Sequence, residues 1–239
     1  MPLNSAQALG FDVFGTVVDW RNGIARQVAP FLAGHGSPLD PWQFADTWRS
    51  LYQPAMAQCR SGARPYVRLD LLHREMLVTA LHQHGIPAAD IPASELDELA
   101  LAWRHLDPWP DVLEGLQRLK RRFVLVPMSN GNIALLLHMA KRAGLPWDAI
   151  LGSEVMQAYK PMPAAYLRTA EVLGIPPHAL CLVAAHNDDL AAARACGLAT
   201  AFVVRPHEHG PAQTIDLAPE GPWNLNARDL IDLADQLGC

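Results

Sequence analysis

Two hydrophobic rhythms divide the chain. From about residue 112 onward, short apolar runs alternate with segments whose apolar residues recur at helical spacing. "VLEGLQRLK" has the helical period and the apolar run "FVLVPM" follows it. "NIALLLHMAKRAG" predicts a helix closed by Gly144 and "WDAILG" a short strand. "PAAYLRTAEVLG" predicts a helix opened by proline and closed by Gly174. "ALCLVAA" reads as a buried strand, "DLAAARACG" as a helix, "ATAFVV" as another strand and "ARDLIDLADQLG" as a last helix. Strands alternating with helices of this length form βαβ units, and hence a parallel sheet covered on both faces.

Residues 20–105 keep only the helical rhythm. In "WQFADTWRSLYQPAM" the positions Phe44, Ala45, Trp48, Leu51, Tyr52, Ala55 and Met56 follow the helical period. "LDLLHREMLVTALHQHG" does the same, and no strand pattern occurs between Asp19 and Leu106. The proline-rich "LDPWPDV" marks the return to the first rhythm. The expected organisation is an α/β core from residues 1–19 and 106–239, with a helical insert at 20–105. A site in such a core lies at the C-terminal ends of the strands, where the insert can cover it.

Composition narrows the class. Half of the 239 residues are hydrophobic and 18% are charged, as in a globular protein with a large core. The net charge of −5 leaves no electrostatic footprint for nucleic acid. The one basic run, Lys120–Arg122, is expected at the solvated C-terminal end of a helix. No apolar run is long enough to cross a membrane, and the opening "MPLNSAQ" lacks the regions of a signal peptide. Four cysteines (Cys59, Cys181, Cys196 and Cys239) lie far apart without a CxxC spacing. That usage predicts reduced thiols in a cytoplasmic protein, with neither a disulfide framework nor a zinc site.

The candidate chemistry falls just after the predicted strands. Asp12, in "LGFDVFGTVVDW", interrupts the first apolar run, with Phe14 two residues on. Ser129 and Asn130 follow the next strand, in "MSNGN". Lys160 stands in "AYKPMPAAY", and His186, Asn187, Asp188 and Asp189 stand in "VAAHNDDL". Any one of these is an ordinary turn or cap residue. Together they bring carboxylates, a hydroxyl, an amide and an ammonium to one edge of one sheet.

This set resembles the haloacid dehalogenase superfamily over nearly the whole chain, and within it the L-2-haloacid dehalogenases. The resemblance is carried by the first motif Asp12-Val13-Phe14-Gly15-Thr16 and the pair Trp48-Arg49. It is also carried by Tyr166, six residues after Lys160, and by Asp189 when Gly197 anchors the fourth motif. It implies a Rossmann-like, doubly wound parallel sheet with a helical cap domain, and a homodimer. It also implies a two-step hydrolysis of short 2-haloalkanoic acids that needs no cofactor and no metal. Asp12 displaces halide from C2 and forms an ester, and water then attacks the ester carbonyl to release a 2-hydroxy acid. In that scheme Lys160 keeps Asp12 ionised, and Asp189 orients Lys160 or the water. Ser129 and Thr16 hydrogen-bond the Asp12 carboxylate. Arg49, Asn130, Phe14, Tyr166, His186 and Trp48 surround the substrate and halide, with Arg49 taking the substrate carboxylate or the departing halide.

A phosphatase or phosphonatase of the same superfamily is the main alternative. It needs a second aspartate two residues after the nucleophile to protonate the leaving alcohol, and a Mg²⁺ ion beside the phosphate. Phe14 carries no proton to give, and the positions resembling the metal ligands are Ala184 and Ala185. A halide leaving group is a weak base and needs no proton. A scaffold retained only for binding is a further alternative, disfavoured by the intact set Asp12, Ser129, Lys160 and Asp189. In better-known members a serine and an asparagine stand where this chain has Ala184 and His186. His186 therefore reads as a donor to halide, a member of the water network or a filler of the pocket wall. Asp188 reads as a cap of the following helix.

Overall fold

The computed structural model describes residues 5–239; the first half of the "MPLNSAQ" opening, residues 1–4, lies outside them. The chain enters through strand β1 (Ala8–Phe11) and leaves the sheet at once for five helices. These are α1 (Trp20–Gly34), α2 (Pro41–Ser50), α3 (Tyr52–Arg60), α4 (Leu69–Gln83) and α5 (Ala93–Ala100). The core then resumes with α6 (Val112–Leu119), β2 (Val124–Pro127), α7 (Ile133–Ala143), α8 (Ser153–Met156) and α9 (Pro163–Val172). It closes with β3 (Leu180–Ala184), α10 (Asn187–Ala195), β4 (Ala199–Val203), β5 (Leu225–Ala227) and α11 (Leu230–Gln236).

The five strands pair in parallel in the order β2-β1-β3-β4-β5. β1 thus lies between the strands that follow it in sequence, and the crevice beyond its C-terminal end is the switch point where such sheets bind ligands. Both faces are buried, which is why the strands read as apolar runs without alternation. Leu9, Phe11, Leu125, Cys181, Val183, Ala201 and Val203 join a core continuous with the inserted helices. Val126, Leu182, Ala184 and Phe202 face α8 to α10 on the other side. Gly10 belongs to that second face, where any Cβ would strike Met128.

Three expectations change. "WDAILG" forms no strand. The Asp148 side chain accepts the Leu125 N–H (2.9 Å) that a strand carbonyl would have taken, and Gly152 makes only an isolated bridge with Ser129. Strand β5 had no readable signal, because three residues, of which only Ala227 is buried, are too short for a period. The expected helix across "WQFADTWRSLYQPAM" is two helices, α2 and α3, broken at Leu51. Pro54 explains the break, since it cannot donate the N–H that a continuous helix requires. The Lys120–Arg122 run does lie at the end of α6, where Lys120 pairs with Asp148 at 2.7 Å. Among the described residues no helix is long and apolar enough to cross a membrane.

Candidate active site

The turn after β1 builds the centre of the site. Asp12 N–H bonds the Val183 carbonyl (3.0 Å), which fixes the residue at the sheet edge. The Thr16 hydroxyl donates to Asp12 Oδ2 (2.9 Å) and accepts from Ala185 N (2.9 Å), so the motif turn is tied to the end of β3. Lys160 Nζ reaches Asp12 Oδ1 (3.2 Å) and Asp189 Oδ2 (2.5 Å). Tyr166 donates its hydroxyl to Asp189 Oδ1 (2.7 Å), and Lys160 N donates to Asn130 Oδ1 (2.8 Å). The loops after β1, β2 and β3 therefore converge on Lys160, with Asp12 and Asp189 at its ammonium and Asn130 at its backbone N–H.

All three charged groups are buried, with Asp12 9% exposed, Lys160 8% and Asp189 9%. Burial by itself would raise the Asp12 carboxyl, but Lys160 and then His186 outweigh it and hold Asp12 well below the ordinary carboxylate range. Burial would lower Lys160, yet Asp189 and Asp12 raise it above the ordinary ammonium. Asp189 moves the other way, raised by burial against the pull of Lys160. Of the two carboxylates on Lys160, Asp12 is thus the one held toward its ionised form, and it lines the pocket beside Phe14.

His186 lies between two carboxylates. Its Nδ1 is 3.1 Å from Asp12 Oδ2, and its Nε2 is 2.9 Å from Glu208 Oε2. Glu208, only 1% exposed, also accepts from the Trp20 indole N–H (3.0 Å). Burial would lower the imidazole, but Glu208 and Asp12 raise it well above the usual histidine range. Gly15 has φ 92°, and a Cβ there would overlap the Glu208 carboxylate. The glycine of the first motif therefore both permits the turn and vacates the space that Glu208 fills. Sequence reasoning missed Glu208, which sits in an aperiodic loop after β4. The available signal was the cluster His207-Glu208-His209 just past a strand end.

A cavity of about 760 Å³ opens above these groups, lined at depth by Asp12, Phe14, Arg49, Tyr52, Lys160 and His186. Arg49 lies on α2, and its Cζ is 4.2 Å from the Tyr52 ring centroid, 5.3 Å from Trp20 and 5.8 Å from Phe14. Its Nη1 is buried without a hydrogen-bond partner. A buried guanidinium nitrogen held by aromatic faces and lacking an acceptor is suited to an anion brought by a ligand. Asn130 lines the same cavity.

One of the sequence-predicted site residues lies elsewhere, another has a different neighbour, and Asp188 is not the helix cap. Trp48 is fully buried and donates to the His73 carbonyl (3.1 Å), so it packs the inserted helices and does not touch the cavity. Ser129 does not bond Asp12; its hydroxyl accepts from Gly131 N (3.1 Å) and shapes the loop that presents Asn130. Asp188 is exposed at the cavity mouth and accepts the Asp189 N–H (2.7 Å), while His186 occupies the helix cap. Phe14, Tyr166 and His186 all reach the cavity wall.

Residues 6–197 match the family model of haloacid dehalogenase-like hydrolases. The chain belongs to that family. Its whole length superposes on the crystal structure of a defluorinating L-2-haloacid dehalogenase with a TM-score of 0.98 at 53% identity, covering 100% of this chain and 99% of that one. The (S)-2-haloacid dehalogenase 4A of Burkholderia cepacia is 26% identical, over 91% of this chain and 90% of its own. A phosphoglycolate phosphatase of Chromobacterium violaceum is 33% identical, over 85% of this chain and 87% of its own. At 26–33% identity both a dehalogenase and a phosphatase are represented, so identity at that level does not by itself select the reaction, and the site residues bear on it.

Proposed function

We propose that this haloacid dehalogenase-like hydrolase cleaves the carbon–halogen bond of short 2-haloalkanoic acids, haloacetates and L-2-haloacids among them, to give 2-hydroxy acids. The observation that carries this reading is Asp12. It is one buried, ionised carboxylate facing the cavity, with Phe14 in place of a proton donor. The 53% identical dehalogenase supports it. In the first step an Asp12 oxygen attacks C2 from behind, the C–X electrons leave with the halide, and configuration at C2 inverts. Arg49 supplies the unpartnered cation for an anion of the substrate, and Asn130, Phe14 and Tyr166 line the space around C2. Residues 20–105 act as the cap that presents Arg49. Reduced thiols fit a cytoplasmic enzyme, and a homodimer belongs to the same proposal.

His186 and Glu208 serve the second step. In the resting site His186 is an imidazolium between two carboxylates. Ester formation removes the negative charge from Asp12, and with it one of the two groups that held the proton on the ring. The proton leaves to solvent through the open cavity. Nε2–H stays on Glu208, which leaves Nδ1, the nitrogen facing Asp12, free to take a proton from the attacking water. Water then adds to the ester carbonyl carbon, and the bond from that carbon to the ester oxygen breaks. The departing oxygen takes the second proton of the attacking water, and the 2-hydroxy acid leaves as the Asp12 carboxylate re-forms. Asp189 holds Lys160 in place through both steps, with Tyr166 and Thr16 fixing the carboxylates.

A phosphatase reading fits these residues poorly. A Mg²⁺ ion on Asp189 would have to displace Lys160 Nζ from one oxygen and Tyr166 from the other, and Ala184 and Ala185 offer no ligand. The test is halide and phosphate release measured side by side, with and without EDTA. Chloroacetate and L-2-chloropropanoate should release halide at an unchanged rate in excess chelator. Phosphate release from a phosphomonoester that depends on added Mg²⁺, without halide release, would contradict the proposal.

A further inference from the structure

The segment 205–224, between β4 and β5, brings Glu208 to His186 although it contains no regular element of its own. In its middle the apolar residues do little to hold it, since Ile215 is 54% exposed and Leu217 46%, while Trp223 at its end packs against the core. It hangs instead on polar anchors. Arg205 Nε donates to the Thr16 carbonyl (2.8 Å), and both its terminal nitrogens reach Asp111 (2.8 Å each). Within the loop, Gln213 Oε1 accepts from His209 N and Gln213 Nε2 donates to the Arg205 carbonyl, both at 3.0 Å.

The far half of the loop is held at its end by Thr200, fully buried, which bonds Asn224 through its N–H (2.9 Å), its hydroxyl (3.2 Å) and its carbonyl (2.9 Å), and along its length by Asn187. Asn187, 7% exposed, donates from Nδ2 to Asp216 Oδ1 (2.8 Å) and to the Ala218 carbonyl (3.0 Å). Its Oδ1 accepts from Glu220 N and from the Trp223 indole N–H, both at 2.9 Å. Its backbone N–H also donates to Asp216 Oδ1 (2.9 Å). Two side-chain donors and two acceptor positions are all an asparagine has, and every one is spent on this loop. Asn187 directly follows His186, so one short stretch at the start of α10 positions both the imidazole and the loop that carries its carboxylate partner.

We propose that Asn187 is a positioning residue that holds the 205–224 loop so that Glu208 stays on His186. The proposal rests on the dehalogenase reading above. Its consequence is selective. Displacement of halide by Asp12 needs no imidazolium to form, whereas hydrolysis of the ester does, and Glu208 stabilises that imidazolium. Loosening the loop therefore slows the second half-reaction and leaves the first nearly intact.

The experiment is rapid-quench kinetics on the full-length enzyme with L-2-chloropropanoate, comparing the unmodified protein with Asn187→Ala. The variant should give a halide burst approaching one per active site, and the Asp12 peptide should carry the mass of the ester. Ester hydrolysis should slow by about tenfold or more while the halide-forming step changes by less than about twofold. Trp223→Phe removes a single hydrogen bond to Asn187 at a distance from the cavity and should shift the same step in the same direction by less. If Asn187→Ala does not fold, as judged by circular dichroism, Trp223→Phe decides by the same criteria. Equal slowing of both half-reactions, or no change in hydrolysis, overturns the role of Asn187. No halide release from the unmodified enzyme removes the dehalogenase reading itself, and the role of Asn187 with it.

Discussion

Asp12→Asn should release essentially no halide from any 2-haloacid. Loss of a covalent nucleophile removes about 10⁴ to 10⁶ in turnover, and the neutral amide also forfeits the attraction of Lys160 that aligns the attacking oxygen (3.2 Å). The fold should survive, because the Thr16 and Lys160 contacts can re-form around an isosteric side chain. The check is halide release together with intact mass. Activity that persists while the mass stays that of asparagine would remove Asp12 from the chemistry. Activity that appears along with a gain of one dalton would report deamidation back to aspartate.

Lys160→Met is the second large effect, and its signature is a changed pH profile. With the ammonium gone, burial acts on Asp12 opposed only by His186 and the Thr16 hydrogen bond, and Asp189 faces it as a second buried carboxylate. The Asp12 carboxyl must then rise, and activity at neutral pH should fall by about 10² to 10³ as the ionised fraction drops. Residual activity should climb with pH through a range where the unmodified enzyme is flat. Stability follows the same sign. In the unmodified protein the depressed Asp12 contributes stability that is present above the ordinary carboxylate range and lost as pH falls toward its folded value. The variant should lose that acid-side dependence, and its Tm at neutral pH should drop, because breaking a buried ion pair costs about 3–5 kcal/mol. A pH profile parallel to that of the unmodified enzyme would show that Lys160 does not set the charge of Asp12.

Much of this site could be read along the chain because its residues sit at strand ends, where an apolar run stops at a polar group. Asp12, Asn130, His186 and Asp189 are all of this kind; Lys160 is legible as the polar residue between "WDAILG" and the next helix, and Tyr166 by its spacing from Lys160. The parallel sheet was legible for the same reason, since strands buried on both faces are continuous apolar runs. Glu208 was not legible because the loop 204–224 separates β4 from β5 with no period, and only tertiary contact with Gly15 and Trp20 gives the carboxylate its place. Trp48 misled because an aromatic on an amphipathic helix looks the same whether it faces a ligand or a neighbouring helix. Ser129 misled because a hydroxyl in "SNG" has backbone donors nearer than any side chain. "WDAILG" has strand composition, but Asp148 satisfies Leu125 N with its side chain and ends the pairing before a ladder forms.

The covalent ester on Asp12 is tested most directly by a single turnover in H₂¹⁸O with enzyme in excess over L-2-chloropropanoate. An Asp12 oxygen becomes the new hydroxyl of the product, and water replaces it in the carboxylate. The peptide containing Asp12 should therefore gain one ¹⁸O while the lactate formed stays almost unlabelled. Label found mainly in the lactate, with the Asp12 peptide unchanged, would mean that water attacks C2 directly and that Asp12 is not the nucleophile.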